Sequence, residues 1–242
     1  MSGNRMSNRS FCILSGISGI VGVVLIAVSF NINPGPPPGA TNAELIQFGQ
    51  QYYASVLWGA WLQAVGPALI VLFAFSLVHL AGATQRVSGW MTFFGAATLM
   101  TVSLIEITFY ISALHADPPM MPFISLKIIS AVQHLYFIVA APALFLPLGI
   151  VLLSSSILPR LFGYLALLLA TAFAALGVIF LLTLTLPAGV TAFAGVQALW
   201  WLAAALTLIV RSRTIVNNLK AKDVAITSDL MRAGRESRLA ED

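Results

Sequence analysis

The sequence predicts an all-α fold: a polytopic membrane protein built as a bundle of six transmembrane helices, with both termini in the cytoplasm. Of its 242 residues, 59% are hydrophobic and only 8% are charged, whereas soluble domains carry about 25% charged residues. Apolar runs of the roughly 20 residues needed to cross a bilayer recur along nearly the whole chain. Because one soluble core could not bury this much apolar sequence, the lipid bilayer is the first partner that the chain requires.

Short polar connections separate six apolar runs. Each run lacks the alternation of a membrane barrel strand and must satisfy its own backbone hydrogen bonds in lipid, so each is predicted to be a helix. Residues 1–213 are therefore assigned to one transmembrane domain, and residues 214–242 to a polar cytoplasmic tail that adds little to the fold. The predicted spans are Phe11–Asn31, Tyr53–Leu80, Gly89–Leu114, Phe123–Leu153, Leu161–Leu184 and Val190–Val210.

The distribution of arginines predicts the orientation. All the arginines outside the tail fall at the same ends of the spans, on one side of the membrane. The connections on the other side contain Glu44, His115 and Asp117 but no Arg or Lys. Positively charged connections face the cytoplasm, so the arginine side is predicted to be cytoplasmic. The prediction is a cell membrane, namely a bacterial inner membrane. The arginines that share one side of the membrane are Arg5, Arg9, Arg86, Arg160, Arg211 and Arg213.

The first run also allows a second interpretation. Arg5 and Arg9, followed by an apolar stretch that ends in small residues near Ala27 and Ser29, match the pattern of a cleaved signal peptide. The run is long for the apolar region of a signal peptide, so we favour a transmembrane span.

Charge and cysteine content exclude several classes of function. The net charge of +4 comes from basic residues at span ends and in the tail, where they orient the chain, so no nucleic-acid partner is indicated. The single Cys12 excludes an internal disulfide and every thiolate cluster. His79, His115 and His134 lie at different predicted depths, which disfavours paired haem ligation and a zinc site. No metal is predicted, and any other cofactor stays unknown.

Local signals add detail to the helices. Thr41 followed by Glu44 three residues later is a capping-box pattern, which predicts a further helix starting near Asn42 in the first outer connection. Proline inside a helix removes a backbone donor and bends the helix. We therefore predict kinks in the second and fourth spans, at Pro67, Pro142 and Pro147.

Polar side chains gather at one predicted depth in the outer half of the membrane. With a rise of about 1.5 Å per residue, Glu106 lies about 12 Å below the outer end of the third span and His134 about 16 Å below that of the fourth. Gln63 on the second span and Gln197 on the sixth reach a similar depth. Lys127 shares a helix face with His134, and Ser103 and Tyr110 share one with Glu106. The predicted cluster is Glu106, Lys127, His134, Gln63, Gln197, Ser103 and Tyr110.

The cost of a charge in lipid predicts how this cluster is arranged. A charged group facing lipid costs about 2.5–3.5 kcal/mol even on the mildest scale. Glu106 is therefore predicted to face the fourth span and to hydrogen-bond, directly or through one water, to Lys127 or His134, with Gln63 or Gln197 at the rim. Two interpretations stay open: a polar clasp that fixes helix packing, or an outward-facing site for a small ligand or ion.

The segment "HLYFIVAAPALFLPLGIVLLSSSILPRLFGYLALLLA" (His134–Ala170) resembles bacterial multi-pass membrane proteins of an uncharacterised family, in which a fourth-helix His precedes a Pro-Arg-x-x-Gly hairpin. The resemblance is best over Lys127–Gly177. It implies that His134, Pro159, Arg160 and Gly163 are family-pattern positions. Members often carry a basic residue about one turn before the polar position of the third helix, where this chain has Ser103. The resemblance implies a multi-pass fold but no activity.

Three functions fit these patterns. The first is a permease or sensor that binds a small ligand or ion in the outward-facing polar cluster. The second is a structural or accessory subunit that binds another membrane protein or a second copy of itself, with Trp200 and Trp201 as candidate contacts. The third is an intramembrane enzyme acting on lipid or isoprenoid, for which a lone acid and His form only a rudimentary acid–base pair.

Overall fold

The computed structural model describes residues 8–33, 35–37, 39–115, 118–183, 190–218 and 221, and among these residues helices are the only regular secondary structure. A π-helical turn, Tyr136–Ala140, joins α5 to α6, so these two helices form one continuous rod. The helices are α1 (Asn8–Ile32), α2 (Asn42–Gln51), α3 (Tyr53–Leu80), α4 (Val87–Ala113), α5 (Met121–Leu135), α6 (Ala141–Leu153), α7 (Arg160–Thr183) and α8 (Val190–Val210).

Six rods in the described part of the chain are long and apolar enough to cross a membrane: α1, α3, α4, the continuous α5–α6 rod, α7 and α8. The predicted all-α bundle of six spans is thereby confirmed. The ends of the rods lie within a few residues of the predicted ends, apart from Leu184, which falls outside the described residues.

The spans follow one another around the bundle in the order α8, α1, α3, α4, α6 and α7. Helix α1 packs against α3 and α8, α4 lies between α3 and α6, and α7 packs against α6 and the π-helical turn. Aromatic side chains fill the centre. Phe145 contacts the rings of Phe173, Trp200 and Trp201, and Trp201 contacts Phe73.

This centre corrects one expectation. Trp200 and Trp201, the candidate contacts for another chain, are only 5% and 2% exposed. The Trp200 indole nitrogen donates a hydrogen bond to the backbone oxygen of Phe162, at 3.1 Å. Both rings therefore pack inside this bundle, where neither can form a surface contact with a partner. The sequence pattern was misleading because an aromatic pair near a span end occurs in cores as well as on surfaces.

Glycines set the closest approaches between helices. A side-chain carbon at Gly95 of α4 would lie 2.2 Å from the backbone oxygen of Ala143 on α6, far inside contact distance. Gly22 of α1 and Gly66 of α3 face each other in the same way. A side-chain carbon at Gly22 would lie only 2.8 Å from the backbone oxygen of Gly66. Small residues at these crossings let the backbones approach, as is common between membrane helices.

The fourth rod departs from a regular α-helix at the predicted proline. Pro142 has no backbone N–H, and its ring would collide with the carbonyl of Ile138 in a regular helix. The chain responds one residue earlier, where the N–H of Ala141 bonds to the oxygen of Tyr136, five residues back. The resulting π-helical turn rotates α5 about the axis of the rod relative to α6.

The short helix α2 begins where the capping box predicted. The Thr41 backbone N–H donates to Glu44 Oε2 at 2.7 Å, and the Glu44 N–H donates to Thr41 Oγ1 at 3.4 Å. The Thr41 backbone N–H and the Thr41 hydroxyl, which donates to Glu44 Oε2 at 2.8 Å, both stabilise the carboxylate and lower the pKa of Glu44 below its usual value of 4.5. Asn42 Nδ2 also donates to the backbone oxygen of Pro119 at 2.6 Å, which ties α2 to the connection between α4 and α5.

Helical structure continues beyond α8. Residues 212–218 are helical, and Ile215, only 3% exposed, belongs to the hydrophobic core. Packing therefore reaches two residues past the predicted end of the transmembrane domain at residue 213. The expectation that the rest of the tail adds little to the fold concerns residues that lie mostly outside the described ones.

Candidate functional site

The candidate site is built around Glu106, seven residues before the end of α4. Gln63 of α3 donates from Nε2 to Glu106 Oε2 at 2.9 Å, and Gln133 of α5 donates from Nε2 to Glu106 Oε1 at 2.9 Å. One carboxyl group thus joins three helices through two uncharged amides. Gln63 is buried, with 8% of its surface exposed, and the other two side chains are half-buried.

Ser103 supports the site from one turn deeper in α4. Its hydroxyl donates to the backbone oxygen of Gln63 at 3.0 Å, and Ser103 is only 5% exposed. Because this bond fixes the backbone of Gln63 against α4, it holds the Gln63 amide at the height of Glu106. The prediction that Ser103 and Gln63 belong to the cluster agrees with these contacts.

The predicted partners of Glu106 require a correction. Glu106 does face the fourth rod, but its direct hydrogen-bond partner there is Gln133, and neither Lys127 nor His134 bonds directly to it among the described residues. Side chains one residue apart on a helix point about 100° apart. The side of α5 that meets α4 carries Gln133 next to the buried Val132, so the predicted face was one position away from the real one.

Lys127 lies outside the cluster. Its side chain is exposed, and its ammonium nitrogen sits 5.4 Å from the centre of the Phe123 ring, one turn nearer the start of α5. Contact with the face of an aromatic ring partly compensates a cation. A long side chain close to the end of a span can also extend toward water, which explains why this position needs no acid.

His134 is held on its own helix. Its Nδ1 lies 2.6 Å from the Ser130 backbone oxygen, and its ring meets the Phe180 ring edge-on, with centroids 5.6 Å apart. A carbonyl oxygen only accepts, so Nδ1 carries the proton and Nε2 of the neutral ring is an acceptor. Nε2 is buried and has no hydrogen-bond partner within the described part of the chain.

A second polar pair lies beside the first. The Tyr136 hydroxyl donates to Gln197 Oε1, which links the π-helical turn to α8. Gln197 was predicted at the rim of the Glu106 cluster, but its observed partner is Tyr136. Tyr136 follows Gln133, the partner of Glu106, by three residues along the same rod, so the two pairs lie about one helical turn apart.

Tyr110 lies between Glu106 and the end of the bundle that carries α2. It lies one turn above Glu106 on α4 and lines a small cavity of about 20 Å³ together with Phe48 and Gly49 of α2. A cavity of that size is large enough for about one water molecule. Tyr110 and the α2 residues Phe48 and Gly49 therefore share this small space at the end of the bundle that carries α2.

Sequence reasoning missed two polar side chains of this site, Gln133 and Tyr136. Both are polar groups on the fourth span at the depth of Glu106, so depth alone would have included them. His134 and Lys127 were the stronger candidates because they can carry a charge, and the rotation caused by the π-helical turn after Leu135 is not visible in the sequence.

No group of three or more His, Cys, Asp or Glu side chains that could hold a metal ion occurs within the described ranges. Comparisons with protein-family models, with curated proteins and with solved structures found no match. The resemblance of His134–Ala170 to an uncharacterised membrane family stays a prediction.

Proposed function

We propose that this multi-pass protein works in a bacterial inner membrane as a permease or sensor that binds a small cation, either a proton or a metal ion, at Glu106 from the outer side. One observation carries the proposal: the carboxyl group of Glu106 is bonded by two uncharged amides, those of Gln63 and Gln133. No cationic side chain is hydrogen-bonded or ion-paired to it in the part of the chain that the structure describes.

The physical reason is charge balance. Two amide donors stabilise a carboxylate in the membrane, but they leave its negative charge in place, and an uncompensated charge at this depth is costly. A bound cation removes that cost. Intramembrane acids that lack a partner of opposite charge are accordingly candidates for ion and proton pathways.

The two glutamines suit both charge states of the site. A glutamine amide presents either its NH₂ group or its oxygen after a turn about its last torsion angle. With the acid charged and empty, both amides donate to it, as observed. With a proton or a metal ion bound, one amide oxygen can accept the proton or coordinate the ion, because oxygen ligands suit hard cations.

The cation response can be measured without knowledge of a transported solute. We expect that lowering the pH or adding Na⁺ raises the melting temperature of the full chain in lipid nanodiscs, because a ligand that binds only the folded state stabilises it. Glu106→Gln should abolish that rise. Glu44→Gln is the matched control, because Glu44 is exposed outside the spans and its variant should keep the response. An equal response in the Glu106→Gln variant, or none in the unchanged chain, would contradict the proposal.

The runner-up is a structural or accessory subunit. The observation that favours it is the closed Gln63–Glu106–Gln133 arrangement, which already satisfies both carboxyl oxygens and could serve as a clasp between helices. The two proposals differ in the nanodisc experiment, because a clasp without an ion site gives no cation-dependent stabilisation that disappears with Glu106→Gln.

Outward access to Glu106 requires the orientation that the arginines predict. We expect a cysteine at His115 to react with an impermeant thiol reagent added outside intact cells, and a cysteine at Gln85 to react only after the membrane is opened. Both positions are exposed in helix connections on opposite sides of the bundle. The buried Cys12 is first replaced by alanine. The reverse labelling would invert the topology and place Glu106 nearer the cytoplasm.

A further inference from the structure

The end of the bundle opposite to α2 carries a cavity of about 550 Å³ that the proposed function does not use. Three arginines line it, and each lies at the end of a different helix: Arg86 immediately before α4, Arg160 at the first residue of α7, and Arg211 immediately after α8. The segment Ser154–Ser156, between α6 and α7, forms another part of its wall.

We infer that this cavity binds a phosphate group carried by a larger molecule, either a phospholipid headgroup or a soluble phosphorylated compound. Arginine presents several N–H donors in a planar fork that matches phosphate oxygens, which makes it the preferred side chain for phosphate recognition. Three such groups around one cavity can contact one phosphate from different sides.

The charge of this end supports an anionic ligand. The described residues contain only two acids, Glu44 and Glu106, and neither lines the cavity. Glu106 is 20 residues beyond Arg86 along α4, which places it about 30 Å away at the helical rise. The described residues therefore bring three positive charges and no carboxylate to the cavity wall, and a bound anion would balance those charges.

The serine wall leaves the arginines as the main donors. The Ser154 hydroxyl donates to the Val151 backbone oxygen at 3.0 Å, and the Ser155 hydroxyl donates to the Leu152 oxygen at 3.2 Å. These bonds satisfy carbonyls at the end of α6. They keep the C-terminal end of that helix from presenting bare oxygens to an anion.

The size of the cavity indicates more than a bare phosphate ion. Sites for small molecules typically measure about 300–1,000 Å³, and this cavity falls in that range. A headgroup or a phosphorylated metabolite would fill it better than inorganic phosphate. Since the cavity lies where helices end, both a lipid from the membrane and a solute from the aqueous side can reach it.

Arginine footprinting on the unchanged full chain tests the inference. The protein is treated with phenylglyoxal, which modifies accessible arginines, and each site is quantified by peptide mass spectrometry. One arm compares the protein in lipid-free detergent with and without pyrophosphate. The other arm compares the protein in phosphatidylglycerol nanodiscs with the protein in lipid-free detergent that contains no phosphate group. We expect Arg86, Arg160 and Arg211 to react about tenfold more slowly when the ligand is bound.

Arg213 is the matched control within the same molecule. It is exposed two residues after Arg211 but does not line the cavity, so its rate should not change. Protection by phosphatidylglycerol alone identifies a lipid headgroup, and protection by pyrophosphate identifies a soluble phosphorylated ligand; either result supports the inference. Equal protection of Arg213, or no protection of the three cavity arginines in either arm, would overturn it.

The polar tail is a competing occupant that the same experiment can detect, because residues 228–242 carry four acids beside three arginines. Truncation before Ser228 removes these four acids, which are Asp229, Glu236, Glu241 and Asp242. If the three cavity arginines are protected in the full chain without any added ligand and become reactive after truncation, the tail fills the cavity and the inference fails. If truncation leaves both the basal rates and the protection by ligand unchanged, the phosphate site stands.

Discussion

Replacing Gly95 with alanine should destabilise the protein by about 1–3 kcal/mol, the usual cost of overpacking a close contact. The new carbon would lie 2.2 Å from the backbone oxygen of Ala143 and 2.5 Å from the backbone nitrogen of Leu144. Both are main-chain atoms, so no side chain can turn aside to make room. Helices α4 and α6 must therefore separate, which would also disturb the height at which Glu106 and Gln133 meet.

The measurement is the free energy of unfolding in mixed micelles of mild and denaturing detergent. Gly195→Ala is the matched control, because Gly195 is also a glycine inside a membrane span and nothing lies within 4 Å of the added carbon. Its variant should be neutral or slightly more stable, since alanine favours the helix over glycine. Equal destabilisation by the two substitutions would mean that the crossing of α4 and α6 is wider than described.

The six spans could be predicted from the sequence because they depend on composition alone. An apolar run of sufficient length has to be helical in lipid, whatever its neighbours are. The start of α2 was predictable for a similarly local reason, since Thr41 and Glu44 bond to each other's backbones. Such features need only residues that are close in sequence.

The partner of Glu106 could not be predicted in the same way. Depth along a helix follows from residue counting, and depth correctly brought Gln63 and Glu106 together. Rotation about the helix axis is set by packing with other helices, and at the fourth span it also depends on the π-helical turn that precedes Pro142. An error of one residue in that rotation exchanged Gln133 for His134.

Charge misled the prediction of the site in a second respect. A cation was expected next to Glu106 because an acid in lipid needs compensation. Lys127 instead lies against Phe123 near the start of α5, where its ammonium group can extend toward water. The neutral amides then became the partners of the acid, and this is the observation from which the cation-binding proposal arises.

Replacing Glu106 with leucine should destabilise the bundle by about 1–3 kcal/mol, because hydrogen bonds between membrane helices contribute about 0.6–1.7 kcal/mol each and two are lost. The amides of Gln63 and Gln133 would keep their donors but lose the acceptor that now holds them. Unfolding in mixed micelles provides the measurement. Thr108→Leu is the control, since the Thr108 hydroxyl is exposed and bonds only to the Leu104 oxygen of its own helix.

Glu106→Gln separates the structural role of this side chain from its charge. A glutamine at this position can accept from one neighbouring amide and donate to the oxygen of the other after that amide turns, so two hydrogen bonds survive and stability should stay within about 1 kcal/mol of the unchanged protein. The negative charge is lost. A stable variant that no longer responds to protons or Na⁺ would therefore assign both roles to one carboxyl group: its oxygens join three helices, and its charge binds the cation. If leucine and glutamine proved equally tolerable, the hydrogen bonds would not stabilise the bundle, and the two amides would be explained only by a ligand that they help to bind.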